Sequence, residues 1–153
     1  MLVGLVSDTH SLVRPEIFTA LEGVELILHA GDVGSRAVLD ELAAIAPVQA
    51  VYGNTDAPGE PDLKAKLALN IESLSIHVSH GHELGSPTAE RLLARYTADV
   101  VVFGHTHKPL IERAGGRLVV NPGAAGPRRF NLKPSVARMT VEKGRAEVEI
   151  IWL

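Results

Sequence analysis

The stretch "VVFGHTHKPL", residues 101–110, runs from three large apolar side chains through one glycine into two histidines a single residue apart. A β-type run that ends in this way puts imidazoles at the tip of a buried strand. Working outward, the same ending recurs. Val6 leads to Ser7-Asp8-Thr9-His10, Leu28 through His29 and Ala30 to Gly31-Asp32, Tyr52 to Gly53-Asn54, and Val78 to Ser79-His80-Gly81. Five apolar runs thus finish in a small residue followed by a residue that ligates metals.

The runs read as strands over Leu2–Val6, Val24–Leu28, Val48–Tyr52, Leu74–Val78 and Val100–Phe103. Helical patterns fall between them. Arg14–Leu21 opens beside Pro15, which a first helical turn accepts. Ser35–Ala46 begins on a capping serine and stops at Pro47, and Thr88–Tyr96 follows Pro87. Strands alternating with helices predict a parallel α/β arrangement in the first half. From Pro109 the chain reads as β-hairpins turning at Gly115-Gly116 and Lys143-Gly144. The stretch "PGAAGPRRFNLKP" between them reads as a long ordered loop.

Composition narrows the chemistry. With 153 residues and 46% hydrophobic content the chain fits one domain, residues 1–153, with an adequate core. Formal charge of −3 gives no general attraction to phosphate polymers, so no stable nucleic-acid complex is expected. Absence of cysteine removes disulfides, zinc-thiolate sites and thiol nucleophiles. No apolar run reaches the roughly 18 residues of a membrane span, and the opening lacks a basic signal-peptide region. The expectation is a cytoplasmic protein without a membrane partner.

In α/β sheets, sites form at the carboxyl ends of strands. Residues two apart in extended chain point to one side, which would pair Asp8 with His10 and His105 with His107, and glycines 31, 53, 81 and 104 would free the turns. The converging set is Asp8, His10, Asp32, Asn54, His80, His105 and His107. Mixed imidazole and oxygen donors suit manganese, iron, nickel, cobalt or zinc better than calcium, and seven donors exceed one tetrahedral ion. Two ions sharing a carboxylate would use them all.

These blocks, "SDTH", "GD", "GNTD", "SHGH" and "GHTH", in this order, resemble the signature of the calcineurin-like metallophosphoesterase superfamily, and with "HAGD" and "NPGA" its small YfcE-type phosphodiesterases. The resemblance implies a four-layer αββα sandwich of two mixed sheets and a pair of divalent ions, with Mn2+ favoured and Ni2+, Fe2+, Co2+ or Zn2+ as substitutes. It puts Asp8, His10 and His107 on one ion and Asn54, His80 and His105 on the other, with Asp32 bridging. The implied reaction is hydrolysis of a small phosphodiester or nucleotide by a metal-bridging hydroxide.

One block departs from the pattern. Many members carry a histidine that serves the leaving group where this chain has Thr55, and a threonine hydroxyl is no proton donor near neutral pH. The YfcE-type subgroup also lacks that histidine, which leaves catalysis compatible and favours diesters with good leaving groups. His82, two residues beyond His80, is the candidate substitute acid, so Asp32, Asn54 and His82 are the expected catalytic residues. Asp56 and Asn121 read as supports of the metal loops or turn residues, His29 and His77 as hydrogen-bonded histidines, and Arg128 and Arg129 as solvated surface. Two rivals are a phosphomonoesterase and a non-catalytic interaction scaffold of the Vps29 type. A homodimer through an open sheet edge in the hairpin-rich half is compatible with the pattern.

Overall fold

The computed structural model describes residues 1–129 and 131–153. Its first strand, β1 (Leu2–Val6), alternates: Val3 and Leu5 face one side, while Gly4 and Val6 face the other. Gly4 gives the Leu21 side chain room, since a Cβ there would lie only 3.1 Å from it. Parallel neighbours β2 (Leu26–His29), β3 (Val48–Val51) and β4 (Leu63–Lys64) extend the sheet on one side of β1, and antiparallel β10 (Ser135–Glu142) and β11 (Arg145–Trp152) on the other. The second sheet runs β5 (Leu67–Ile71), β6 (Leu74–Val78), β7 (Val100–Val102), β9 (Arg117–Asn121), β8 (Leu110–Ala114). Its inner strands β6, β7 and β9 are parallel and its edges antiparallel.

The sheets pack face to face through Val3, Leu5, Leu28, Val78, Val102 and Val120, all buried. Helices α1 (Glu16–Ala20) and α2 (Arg36–Ala43) cover the outer face of the first sheet with Ile17 and Leu42, and α3 (Ala89–Arg95) covers that of the second with Leu92. Each such buried aliphatic side chain contributes about 2–3 kcal/mol. The result is the expected four-layer αββα sandwich with two mixed sheets.

The differences are local. Strand β2 starts two residues later than expected and takes in His29, β3 and β7 each end a residue earlier, and all three helices are shorter. Strands β4 and β5 were not anticipated. The β5–β6 hairpin turns at Glu72-Ser73, with Glu72 at φ 53°, and so lacks the Asn-Gly signature of a tight turn. Strand β4 is two residues long and has no period to detect. The loop between β9 and β10 packs its first part inward, where Ala125 and Gly126 donate backbone N–H groups to the Ser7 and Asp8 carbonyls. Phe130, within that loop, lies outside the described residues. Strands β11 and β8 end their sheets. Among the described residues no helix is long and apolar enough to cross a membrane.

Candidate metal centre

Loops leaving the carboxyl ends of β1, β2, β3, β6 and β7 meet at one end of the sandwich, and all seven donors predicted from sequence are brought together there. Asp8, Asp32, His80 and His107 are buried, His10 and His105 are half-buried, and Asn54 is exposed at the mouth. The local geometry differs from the expected extended pairs. Asp8, His10, Asp32, His105 and His107 have φ of 53°, 45°, 53°, 71° and 64°. Left-handed backbone at a non-glycine residue costs about 1 kcal/mol or more, and here the cross-loop bonds hold it. Asp8 N–H donates to the Gly31 carbonyl at 2.9 Å, His10 N–H to Asp32 at 3.0 Å, and Gly104 N–H to His80 at 3.0 Å.

Glycine has two separate uses. Gly31 and Gly81 adopt φ near 100°, as expected of turn glycines. Gly53 and Gly104 are not in that region. They are needed for close approach, because a Cβ on Gly53 would overlap Asp32 Oδ1, and one on Gly104 would overlap Ser7 Oγ and lie 2.7 Å from Asp8 Oδ2.

Hydrogen bonding leaves specific atoms unused. Asp8 Oδ2 accepts from the Ser7 hydroxyl at 2.6 Å and from His105 N–H at 3.2 Å. Asp8 Oδ1 is buried with no hydrogen-bond partner among the described residues, facing the Nε2 atoms of His10, His80 and His107 at 3.8, 3.8 and 3.3 Å. His10 Nε2 is likewise buried and unpartnered. His80 Nδ1 lies 2.7 Å from the Ala30 carbonyl and must donate to it, since a carbonyl only accepts. Neutral His80 therefore aims an Nε2 lone pair at Asn54 Oδ1, 3.1 Å away, and at Asp32 Oδ2, 3.4 Å away. Asn54 Oδ1 also lies 3.2 Å from His105 Nδ1. Lone pairs converging on the buried Asp8 Oδ1 repel unless a proton or a cation sits between them.

Charge follows the same pattern. Burial by itself would raise both carboxyls, but His107, His80 and the Ser7 hydroxyl hold Asp8 below the usual carboxylate range, and His80 with the Thr55 N–H holds Asp32 well below it. Burial pushes the His10 and His105 imidazoles down, against the nearby aspartates. His80 goes up: burial opposes its charged form, yet Asp32 and Asp8 outweigh burial. Asp8, Asp32, His10 and His105 are thus shifted toward the ionised carboxylate and neutral imidazole that bind metal, while His80 is shifted the other way by its two aspartates; the carbonyl behind His80 is the usual outer support of a ligating imidazole. The donor set fits divalent cations. The ligand atoms of Asp8, His10 and His107 lie within 4.8 Å of one another, as do those of Asp8, Asp32 and His80, so either group could hold a cation.

The supporting residues are distinct. Asp56 accepts the N–H groups of Val33, Gly34 and Gly53 at 3.0, 3.0 and 2.9 Å, tying the β2 and β3 loops together. Asn121 Nδ2 donates to the Gly104 carbonyl and to Thr106 Oγ1, both at 3.0 Å. His82 sits at the rim with its ring 5.4 Å from that of His80, and its Nδ1 is buried without a hydrogen-bond partner. Arg128 and Arg129 are exposed. His77 is buried and stacked on Tyr96 with ring centroids 3.7 Å apart. Sequence reasoning missed the Ser7 hydroxyl and the role of His29. The histidine accepts from Gly31 N–H at Nδ1 and meets Thr9 Oγ1 at Nε2, so that it latches the β1 and β2 loops.

The calcineurin-like phosphoesterase superfamily domain matches residues 1–144. A probable metallophosphoesterase of Methanothermobacter thermautotrophicus is 35% identical over 99% of this chain and 92% of its own length. The phosphodiesterase YfcE of Escherichia coli is 32% identical over 71% of this chain and 68% of its own. Among solved structures, Vps29 of Chaetomium thermophilum superposes with a TM-score of 0.82 over 100% of this chain and 97% of its own, at 22% identity, a likeness of fold. By domain match and by relatives above 30% identity, the chain belongs to the calcineurin-like phosphoesterase superfamily, a family of phosphoesterases that work with divalent metal ions.

Proposed function

We propose that the chain is a divalent-metal-dependent phosphodiesterase acting on small phosphodiesters or nucleotides, its 153 residues forming one domain in the cytoplasm. Asp8, His10 and His107 would hold one ion and Asn54, His80 and His105 a second, with Asp32 available to both. The observation that carries this reading is Asp8 Oδ1, an ionised oxygen buried without a donor and surrounded by three imidazole nitrogens. Asp32 Oδ2, 3.6 Å from His10 Nε2 and 3.4 Å from His80 Nε2, supports a shared role because it reaches both groups of donors. Bound ions, manganese first among them, would supply Lewis acidity toward phosphoryl oxygens and lower the pKa of water.

The chain's own residues do the rest. The Thr55 N–H fixes Asp32 by donating to Oδ1 at 3.0 Å, leaving Oδ2 for the centre. Asn54 adds an oxygen without charge at the open mouth. His82 is the proton donor to the leaving oxygen, because the Thr55 hydroxyl cannot fill that role. The relative named a phosphodiesterase supports diesters over phosphomonoesters. The scaffold reading rests on likeness of fold to Vps29.

The test is hydrolysis of bis(p-nitrophenyl) phosphate by chelator-stripped protein, with and without manganese. Metal-dependent turnover, faster than that of p-nitrophenyl phosphate, is expected. No turnover with manganese, nickel, iron, cobalt or zinc would overturn the enzyme reading in favour of the scaffold.

A further inference from the structure

Immediately beside the centre lies a cleft of about 430 Å³, within the roughly 300–1,000 Å³ range of small-molecule sites. Its walls are the two loops that follow Asp32 and Asn54, together with the start of α2 and β4. Val33, Leu39 and Leu63 supply apolar surface. The wall next to the site is rigid, because Asp56 ties Val33 to Gly53 and the Thr55 N–H is held by Asp32.

Charge in the cleft is one-sided. Asp56, Glu60 and Asp62 are its carboxylates and Arg36 is its cation. Arg36 is already paired, its Nη1 lying 2.6 Å from Asp62 Oδ2. Asp56 has both oxygens engaged by backbone N–H groups. Glu60 is exposed, and among the described residues its carboxylate has no hydrogen-bond partner. A second phosphate entering here would meet negative charge with no unpaired cation to receive it, and like charges in such proximity cost affinity. A neutral group meets apolar walls and a carboxylate that accepts hydroxyl donors.

Resting on the phosphodiesterase reading, we infer that this cleft receives one ester arm of the substrate, an uncharged, hydroxyl-bearing organic group of about nucleoside size, and turns away an arm that carries another phosphate. The preferred substrate class is therefore a small diester with a neutral polyol or nucleoside arm, and the cleft is where that preference is set.

Three p-nitrophenyl diesters separate the terms under manganese: the methyl ester, the thymidine 5′-ester, and the thymidine 5′-ester bearing a 3′-phosphate. The wild-type protein is expected to favour the thymidine ester over the methyl ester by about tenfold or more in kcat/KM, the scale set by one well-placed group. The 3′-phosphate should remove that advantage. Ala57→Trp, on an exposed loop residue of the cleft, should bring the thymidine-to-methyl ratio close to one. Glu60→Lys should raise the 3′-phosphorylated ester relative to thymidine by about tenfold. Turnover of the methyl ester with no thymidine preference, or ratios unmoved by both variants, overturns the inference alone. Silence toward all three diesters overturns the phosphodiesterase reading, and the inference with it.

Discussion

His29 links the fold to the centre through a chain of hydrogen bonds whose direction is fixed. Gly31 N–H donates to Nδ1 at 3.1 Å, so that nitrogen must be the acceptor. Nε2 then carries the proton and donates to Thr9 Oγ1 at 3.0 Å, while the Thr9 hydroxyl donates to the Val33 carbonyl at 2.8 Å. A proton added at Nδ1 would face another donor in a fully buried site. Burial is the largest force on this ring and, against the pull of Asp8 and Asp56, lowers its pKa to about 4.

The folded pKa lies below the unfolded one of about 6.5, so between these values the unfolded chain takes up a proton that the fold refuses. Stability from this group is complete above about pH 6.5 and is lost as the pH falls toward about 4. The full span corresponds to about 3 kcal/mol, of which about 2 kcal/mol falls between about pH 7 and about pH 4.5. The assay is urea denaturation of chelator-stripped wild type and His29→Gln at those two pH values. Both proteins share His77, which burial also lowers to about 4, and they share the aspartates and His80. Their difference therefore isolates His29. Wild type should lose about 2 kcal/mol more than the variant on acidification. Equal losses would refute the neutral latch.

Asp32→Ala, removing the carboxylate shared by both donor groups, should lower manganese-dependent diester turnover by roughly a thousandfold, read by steady-state kinetics. Gly104→Ala forces the new Cβ against Ser7 Oγ and Asp8 Oδ2, so calorimetry should find manganese affinity weakened by roughly tenfold to a hundredfold. Asn121→Ala strips donors from the Gly104 carbonyl and Thr106 Oγ1 and should destabilise the fold by about 1–3 kcal/mol in urea. His82→Ala should slow diesters of poor leaving groups by about a hundredfold or more while touching p-nitrophenyl esters only a few-fold; equal effects on both would remove it as the acid.

Much of this architecture was legible because buried parallel strands write themselves as unbroken apolar runs. Leu2–Val6 and Val100–Val102 are such runs, and Leu74–Val78, which alternates as Leu-Ser-Ile-His-Val, shows the other strand period; Leu2–Val6 and Leu74–Val78 have the same bounds in sequence and in structure. The donors were legible because each follows such a run, and strand ends on one side of a sandwich have nowhere else to go. Residues whose partners are far along the chain were harder to read. His29 bonds Thr9 from twenty residues away, and nothing local distinguishes it from any other strand histidine. Strand β4 exists only because two residues meet Ala50 and Val51. The cleft beside Asp32 depends on the course of residues 55–63, which have no periodicity.

The mistaken step, an extended backbone through Asp8–His10 and His105–His107, bears on how the site works, although Asp8 and His10 do share one donor group. In extended chain each pair would serve one place. At φ between 45° and 71° the backbone instead turns at each donor, and the pair His105 and His107 divides: His107 faces Asp8 Oδ1, and His105 faces Asn54 Oδ1. One short loop thereby supplies both donor groups, and a rigid spacing between them follows from the backbone itself. That spacing is bought with left-handed conformations at residues that cannot be glycine, because each must carry a donor side chain. The hydrogen bonds from Asp8 and His10 N–H to the β2 loop offset that strain, so the direction of each donor is fixed by bonds within the chain.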